Sequence, residues 1–240
     1  MFYFELIAVG FLAGMIASVA GFGIGSFLIP LVSIRTGAKI AIALASLPHF
    51  LGNGFRFWIL KSKVNRKILI RFGSLSAVGG LTGALLHIFV SNLLQIIFAL
   101  MLVLAGVLGV LPVSERLRFG KTSAAVIGLA SGFFGGLVGE QGGIRSVALL
   151  NFDVGKEAFI ATATATALIV DAVRMPVYFL TQYNQVDQFL IILIFSSIAV
   201  VAGTLTGNVV LKKIPEESFK RIVSFLILLL GIFMLTIALL

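Results

Sequence analysis

Gly139-Glu140-Gln141-Gly142-Gly143-Ile144-Arg145 interrupts an apolar run that extends from Thr122 to Phe152. It sets a carboxylate, an amide and a guanidinium among glycines. Hydrocarbon offers no hydrogen bonds, so non-helical backbone at membrane depth survives only against protein or water. An ionisable side chain placed there is a functional-site candidate by default. A second interruption lies 118 positions earlier, at Gly21-Phe22-Gly23-Ile24-Gly25-Ser26, inside the run Phe2 to Ile34. Paired interruptions at matching positions of two halves point to a transporter's substrate site.

The surroundings are those of a membrane protein. Of the 240 residues, 60% are hydrophobic and 11% charged, against about a quarter charged in a soluble domain. Apolar segments fall at 3–34 (broken at 21–26), 40–60, 68–90, 92–112, 122–152 (broken at 139–143), 157–181, 188–211 and 218–240. Runs of about 20 apolar residues can cross a bilayer as helices. No basic residue precedes the first segment, so it is read as retained rather than as a signal peptide. Cysteine is absent, which excludes disulfides and thiol chemistry. His49 and His87 give no metal-ligand spacing, and no metal site or cofactor is expected.

The second half repeats the first. Gly10, Gly14, Gly21, Gly25 and Gly37 fall on Gly128, Gly132, Gly139, Gly143 and Gly155 at an offset of 118, and Arg56 falls on Arg174. Farther on, Leu81-Thr82-Gly83 matches Leu205-Thr206-Gly207 at 124. The predicted organisation is a first transmembrane repeat at 1–112, a cytoplasmic connection at 113–121 and a second repeat at 122–240.

Charge decides the orientation of the repeats. Lys61, Lys63, Arg66, Lys67 and Arg71 mark one short loop, Arg116, Arg118 and Lys121 the joint, and Lys212, Lys213, Lys220 and Arg221 a third cluster. Loops rich in lysine and arginine stay on the cytoplasmic side, so the net charge of +9 reports topology and no nucleic-acid partner is expected. All three clusters share a side only if each broken segment begins and ends on one side. Each repeat then makes an odd number of crossings, and the two are inverted. The fold predicted is an all-α polytopic membrane protein of eight to ten membrane segments, with two inverted-topology repeats, each opened by a Gly-rich broken, re-entrant helix. Residues 3–20 would give about 27 Å of helix at 1.5 Å per residue, so the break could also join a full helix to a short returning one.

Several side chains are candidates for chemistry. Arg145 follows Gly142-Gly143, and a guanidinium binds oxyanions in planar, bidentate fashion; an ion pair with Glu140 is the structural alternative. Arg56 has Asn53 three residues before it, and Arg174 has Asp171. That spacing places each pair on one helix face. Snorkelling of both arginines to the interface is the alternative, and Asp171 with Arg174 could be an internal ion pair. Arg56, beside a neutral amide, is freer to meet an anion. Short helices starting at Gly25-Ser26 and Gly142-Gly143 would present free N–H groups and the positive end of the dipole. The substrate-binding candidates are therefore Gly23, Gly25, Ser26, Gln141, Gly142, Gly143, Arg145 and Arg56. Glu140 and Asp171 are the proton-coupling candidates. Gly10, Gly14, Gly132, Gly135 and Gly136 are read as helix-packing positions. Thr162 and Thr166 share a helix face that Thr164 does not. His49, after Pro48, is read as marking a kink.

The run Gly21 to Leu31, a glycine-rich break followed by apolar residues and Pro30, resembles the TauE/SafE sulfite-exporter-like permeases. The size, the two repeats and the short basic loops resemble that family over essentially the whole chain. The second copy, Gly139 to Leu150, departs from it in carrying Glu140, Gln141 and Arg145 and in having Ala148 opposite Pro30. The resemblance implies export of sulfite, sulfonates or related sulfur-containing anions through a bacterial inner membrane. The implied activity is secondary transport, not enzymatic turnover. The alternative class is a cation or metal permease or channel built on Glu140 and Asp171. The expected partners are a small anionic substrate and the lipid bilayer, with a homodimer left open.

Overall fold

A computed structural model describes residues 1–89, 92–110, 121–150, 152 and 154–239. These are helical almost throughout, with no strand among them. In chain order the helices are α1 (Phe2–Ala20), α2 (Ile24–Thr36), α3 (Ala38–Leu60), α4 (Arg66–Phe89), α5 (Asn92–Val110), α6 (Lys121–Leu137), α7 (Gly142–Leu150), α8 (Lys156–Val186), α9 (Leu190–Lys213) and α10 (Glu216–Leu239). Five of them, α1, α4, α8, α9 and α10, are long and apolar enough over their described spans to cross a membrane. Large apolar side chains such as Phe4, Trp58, Ile70, Leu180 and Leu239 stand exposed on the outside, as lipid-facing residues do. The connection read at 113–121 lies outside the described residues except for Lys121 at the start of α6.

The helices fall into two sets of five, α1–α5 and α6–α10, and their contacts repeat across the sets. Ser18 Oγ of α1 donates to the Thr204 carbonyl of α9 at 2.9 Å, and Ser76 Oγ of α4 donates to the Gly128 carbonyl of α6 at 2.9 Å. A Cβ on Gly203 would meet the Phe11 carbonyl; a Cβ on Gly79, its counterpart, would meet that of Leu129. The same holds for Gly207 against Met15 and Gly83 against Phe133. So α1 packs along α9, and α6 packs along α4, at backbone-to-backbone distance. The small residues read as packing positions do this work: without a hydrophobic drive between helices in lipid, close approach is what holds them.

Equivalent helices run antiparallel. His49 of α3 meets Asp171 of α8, and Lys63, just past the end of α3, meets Glu157 near the start of α8. In the same way Gly106 of α5 lies against Leu228 of α10, while Gly231 lies against Val103. A two-fold relation that sets each helix antiparallel to its own counterpart lies across the helix axes, and the repeats are therefore inverted. They are also interlocked, since α1 and α4 of the first set find their longest partners in the second.

The broken segments are helix-return units. Helix α1 has 19 residues, about 28 Å, which nearly matches a hydrocarbon core of about 30 Å. Helix α2 doubles back: the Arg35 guanidinium at its end stands 4.3 Å from the centroid of the Phe2 ring at the start of α1. Each chain reversal turns on a glycine at positive φ, Gly21 at 83° and Gly139 at 79°, a region that costs about 1–2 kcal/mol for a residue with a Cβ. The breaks are shorter than the sequence suggests. Gly25-Ser26 and Gly142-Gly143 already belong to the first turns of α2 and α7. Another difference lies between the apolar segments read at 157–181 and 188–211. Helix α8 continues to Val186 through a bend at Gln182, whose side chain meets the ring of His87 on α4.

Candidate functional site

The two breaks meet. The Gly139 carbonyl lies against Gly25, and Gly142 lies against Phe22. This close approach, which a side chain at Gly25 or Gly142 would block, is the packing reason for glycine there. A Cβ on Gly143 would run into Leu102 of α5, and one on Gly23 would touch Ile16 and Phe27. Their side-chain faces are thus occupied by protein.

Arg145, on the first turn of α7, is fully buried. Its Nη2 donates to the Gly21 carbonyl at 2.8 Å, which carries the guanidinium across to the other break. Its Nε and Nη1 are buried without a partner, as are both side-chain atoms of Gln141. Glu140 takes its bonds elsewhere. Its Oε1 accepts from the Gly142 N–H at 2.9 Å, and its Oε2 accepts from Ser26 Oγ on α2. The ion pair between Arg145 and Glu140 is not formed: among the described residues, the salt bridges are His49–Asp171, Lys63–Glu157 and Arg174–Asp171. The physical reason lies in the competition for each group. Two helix starts offer Glu140 short neutral donors, and a helix end offers Arg145 a bare carbonyl.

Arg56 and Arg174 do not snorkel. Each is 1% exposed, and each turns inward to the last turn of a broken helix. Arg56 Nη1 donates to the Ala17 carbonyl of α1, and Arg174 Nη1 to the equivalent Gly135 carbonyl of α6. The Ala17 carbonyl also accepts the Gly21 N–H at 2.9 Å, and a cation suits the negative end of the helix dipole. Other side chains complete the caps. Ser146 Oγ donates to the Ala20 carbonyl at 3.2 Å, and Tyr178 Oη to that of Gly136. On its other side Arg56 is held by Asn53 Oδ1 and keeps one partnerless Nε. Arg174 is instead paired with Asp171, Nε donating to Oδ1 at 2.9 Å.

Asp171 has a further partner that the sequence order hides. His49 Nδ1 stands 2.7 Å from Asp171 Oδ2, and Asn53 Nδ2 donates to the His49 carbonyl at 2.8 Å. His49 therefore belongs to a buried chain Arg56–Asn53–His49–Asp171–Arg174 that joins the two repeats where α3 crosses α8. Reading it as a kink marker is corrected. The signal available in the sequence was its place four residues before Asn53 on the same helix face. The threonines divide as the helical period requires. Thr162 accepts from the Asn65 N–H at 2.9 Å, Thr166 donates to the Thr162 carbonyl at 2.9 Å, and Thr164, elsewhere on the helix, has a buried hydroxyl without a partner.

Inverted repeats that bring two interrupted helices together at a buried cluster of charged side chains define a polytopic membrane transporter. Comparison with protein families gives the same class and narrows it: the sulfite exporter TauE/SafE family model matches residues 6–234. The chain belongs to that family. No curated protein and no solved structure matches the chain.

Proposed function

We propose that this protein is a secondary transporter that exports a small sulfur-containing oxyanion, such as sulfite or an organosulfonate, across a bacterial inner membrane. The observation that carries the proposal is the buried Arg145 with its Nε and Nη1 unpartnered, beside a Gln141 amide with no partner at all. The idle N–H groups of a buried guanidinium are strong donors for an oxyanion, since an unsatisfied buried donor is costly to keep empty. Family membership supports the transporter class and the sulfur chemistry. The balance of buried charge also favours an anion over a cation: Arg56, Arg145 and Arg174 stand against Glu140 and Asp171.

In this mechanism Arg145 and Gln141 bind the charge and oxygens of the substrate. The first turns of α2 and α7, with Gly23, Gly25, Ser26, Gly142 and Gly143, supply backbone and hydroxyl donors. Arg56 contributes through its free Nε while capping α1. Glu140 is favoured over Asp171 as the proton-coupling group. Asp171 is held between His49 and Arg174, whereas Glu140 is held by a hydroxyl and a backbone N–H. The basic clusters Lys61 to Arg71 and Lys212 to Arg221 face the cytoplasm.

The test is flux in proteoliposomes made with purified protein. Sulfite or a sulfonate such as sulfoacetate should move down an imposed gradient, and an inward-directed proton gradient should change the rate. A protein that moves none of these anions but carries a cation current would overturn the assignment.

A further inference from the structure

The place where Glu140 rests has the chemistry of an oxyanion seat. Its two carboxylate oxygens each take one donor, and the two donors come from different helix starts: the Gly142 N–H of α7 and the Ser26 hydroxyl of α2. The first turn of each helix carries free N–H groups and the positive end of its dipole. Arg145, fully buried, reaches from α7 to Gly21 and so lies between the two breaks, with Nε and Nη1 unpartnered. Glu140 itself is 3% exposed and has no cation at ion-pair distance among the described residues. A carboxylate that forgoes a nearby guanidinium and settles on two neutral donors is standing where a small planar or pyramidal anion would stand.

We infer that the Glu140 carboxylate is a tethered surrogate for the transported anion, occupying the seat between Ser26 and Gly142 when no substrate is present and leaving it when substrate arrives. This deepens the anion-transport proposal and rests on it. Two oxygens of a sulfite or sulfonate can take over the Ser26 and Gly142 donors, and a third can meet the idle N–H groups of Arg145, which Glu140 does not use. The incoming anion thus makes more bonds than the carboxylate it replaces. The two cannot share the seat, because like charges a few ångströms apart in a low-dielectric pocket repel strongly. The device also joins the repeats in the empty state, since the Glu140–Ser26 bond ties α2 to the start of α7, and displacement unties them.

The inference predicts that removing the surrogate's charge tightens binding. In calorimetry on the purified full chain, Glu140→Gln should bind sulfite at least tenfold more tightly than the unaltered protein. Adding Ser26→Ala to Glu140→Gln should give back most of that gain, because the hydroxyl then serves the ligand. Equal or weaker sulfite binding by Glu140→Gln overturns the inference; with Arg145-dependent sulfite flux still present, the transport proposal stands. Absence of both binding and flux, for sulfite and for sulfoacetate, overturns both. Infrared difference spectra of the unaltered protein decide the matter if the variant does not fold. Sulfite should shift a carboxylate stretching band as Glu140 changes partners, and an unchanged carboxylate region refutes displacement.

Discussion

The break after α1 and the break after α6 are the same backbone device carrying different side chains. Both turn on a glycine near φ 80°, both start a short returning helix, and both helix ends are capped by an arginine from the antiparallel pair α3 and α8. At the 118 offset, however, Glu140 stands opposite Phe22, Gln141 opposite Gly23 and Arg145 opposite Phe27. The arginines that match, Arg56 and Arg174, finish helices. The arginine without a match, Arg145, keeps both Nε and Nη1 free, where Arg56 keeps only Nε and Arg174 neither. Symmetry therefore accounts for the scaffold, and departure from symmetry marks the chemistry.

The largest expected effect tests that division. Arg145→Ala should lower sulfite flux in proteoliposomes at least tenfold, while the purified variant elutes and melts as a folded protein. Unchanged flux would leave the asymmetric arginine without a role and the comparison without its point. Next comes the second departure from symmetry, Asp171 opposite Asn53. Asp171→Asn gives α8 the amide that α3 has, but strands Arg174 without a counter-charge and takes the carboxylate partner from His49 Nδ1. Removing one partner of a buried ion pair costs ~3–5 kcal/mol, so the midpoint of thermal unfolding in detergent should fall clearly. Adding Asn53→Asp should recover part of the loss by restoring one carboxylate to the chain that links Arg56 to Arg174. No recovery would mean the two arginine sites are energetically separate.

Smaller effects probe the shared scaffold. Gly132→Ala and Gly14→Ala place a methyl against backbone of the facing helix, at Ser76 and at Val200 respectively. Both should lower thermal stability, and to a similar degree, because the contacts are equivalent. A Cβ at Gly54 meets nothing within 4 Å, so Gly54→Ala should leave stability the same or raise it by ~0.5–1 kcal/mol through helix propensity. Last, Ser146→Ala removes one hydroxyl from the α1 cap and should cost ~1 kcal/mol, read as a small shift of the same melting curve.

Much of this was legible in the residues. The five glycines and one arginine repeated at 118, the interruption of two apolar runs, and the clustering of lysine and arginine were enough for membrane helices, two inverted repeats and two facing breaks. These are properties of composition and period, and lipid enforces them wherever the chain goes. The Asp171–Arg174 pair was legible from its spacing, but the long-range partners of the charged groups were not. Snorkelling for Arg56 and Arg174, an ion pair for Glu140 with Arg145, and a kink for His49 are all local interpretations, built from neighbours in sequence. Each was displaced by a partner 39 to 124 residues away: Ala17 and Gly135 for the two arginines, Ser26 for Glu140, Gly21 for Arg145 and Asp171 for His49.

By itself, then, the sequence determined that the protein is helical, membrane-spanning, duplicated and broken at two points. Hydrophobic length and backbone hydrogen bonding leave few alternatives in a bilayer. Only the tertiary structure decided which buried polar groups satisfy one another. Non-helical backbone at membrane depth survives only against protein or water, and here carbonyls at the breaks draw donors from other helices. Arg56, Arg174, Ser146 and Tyr178 are committed in this way, and Glu140 has gone to Ser26 and Gly142. What remains unspent at the meeting of the breaks, on Arg145 and Gln141, is left for a substrate.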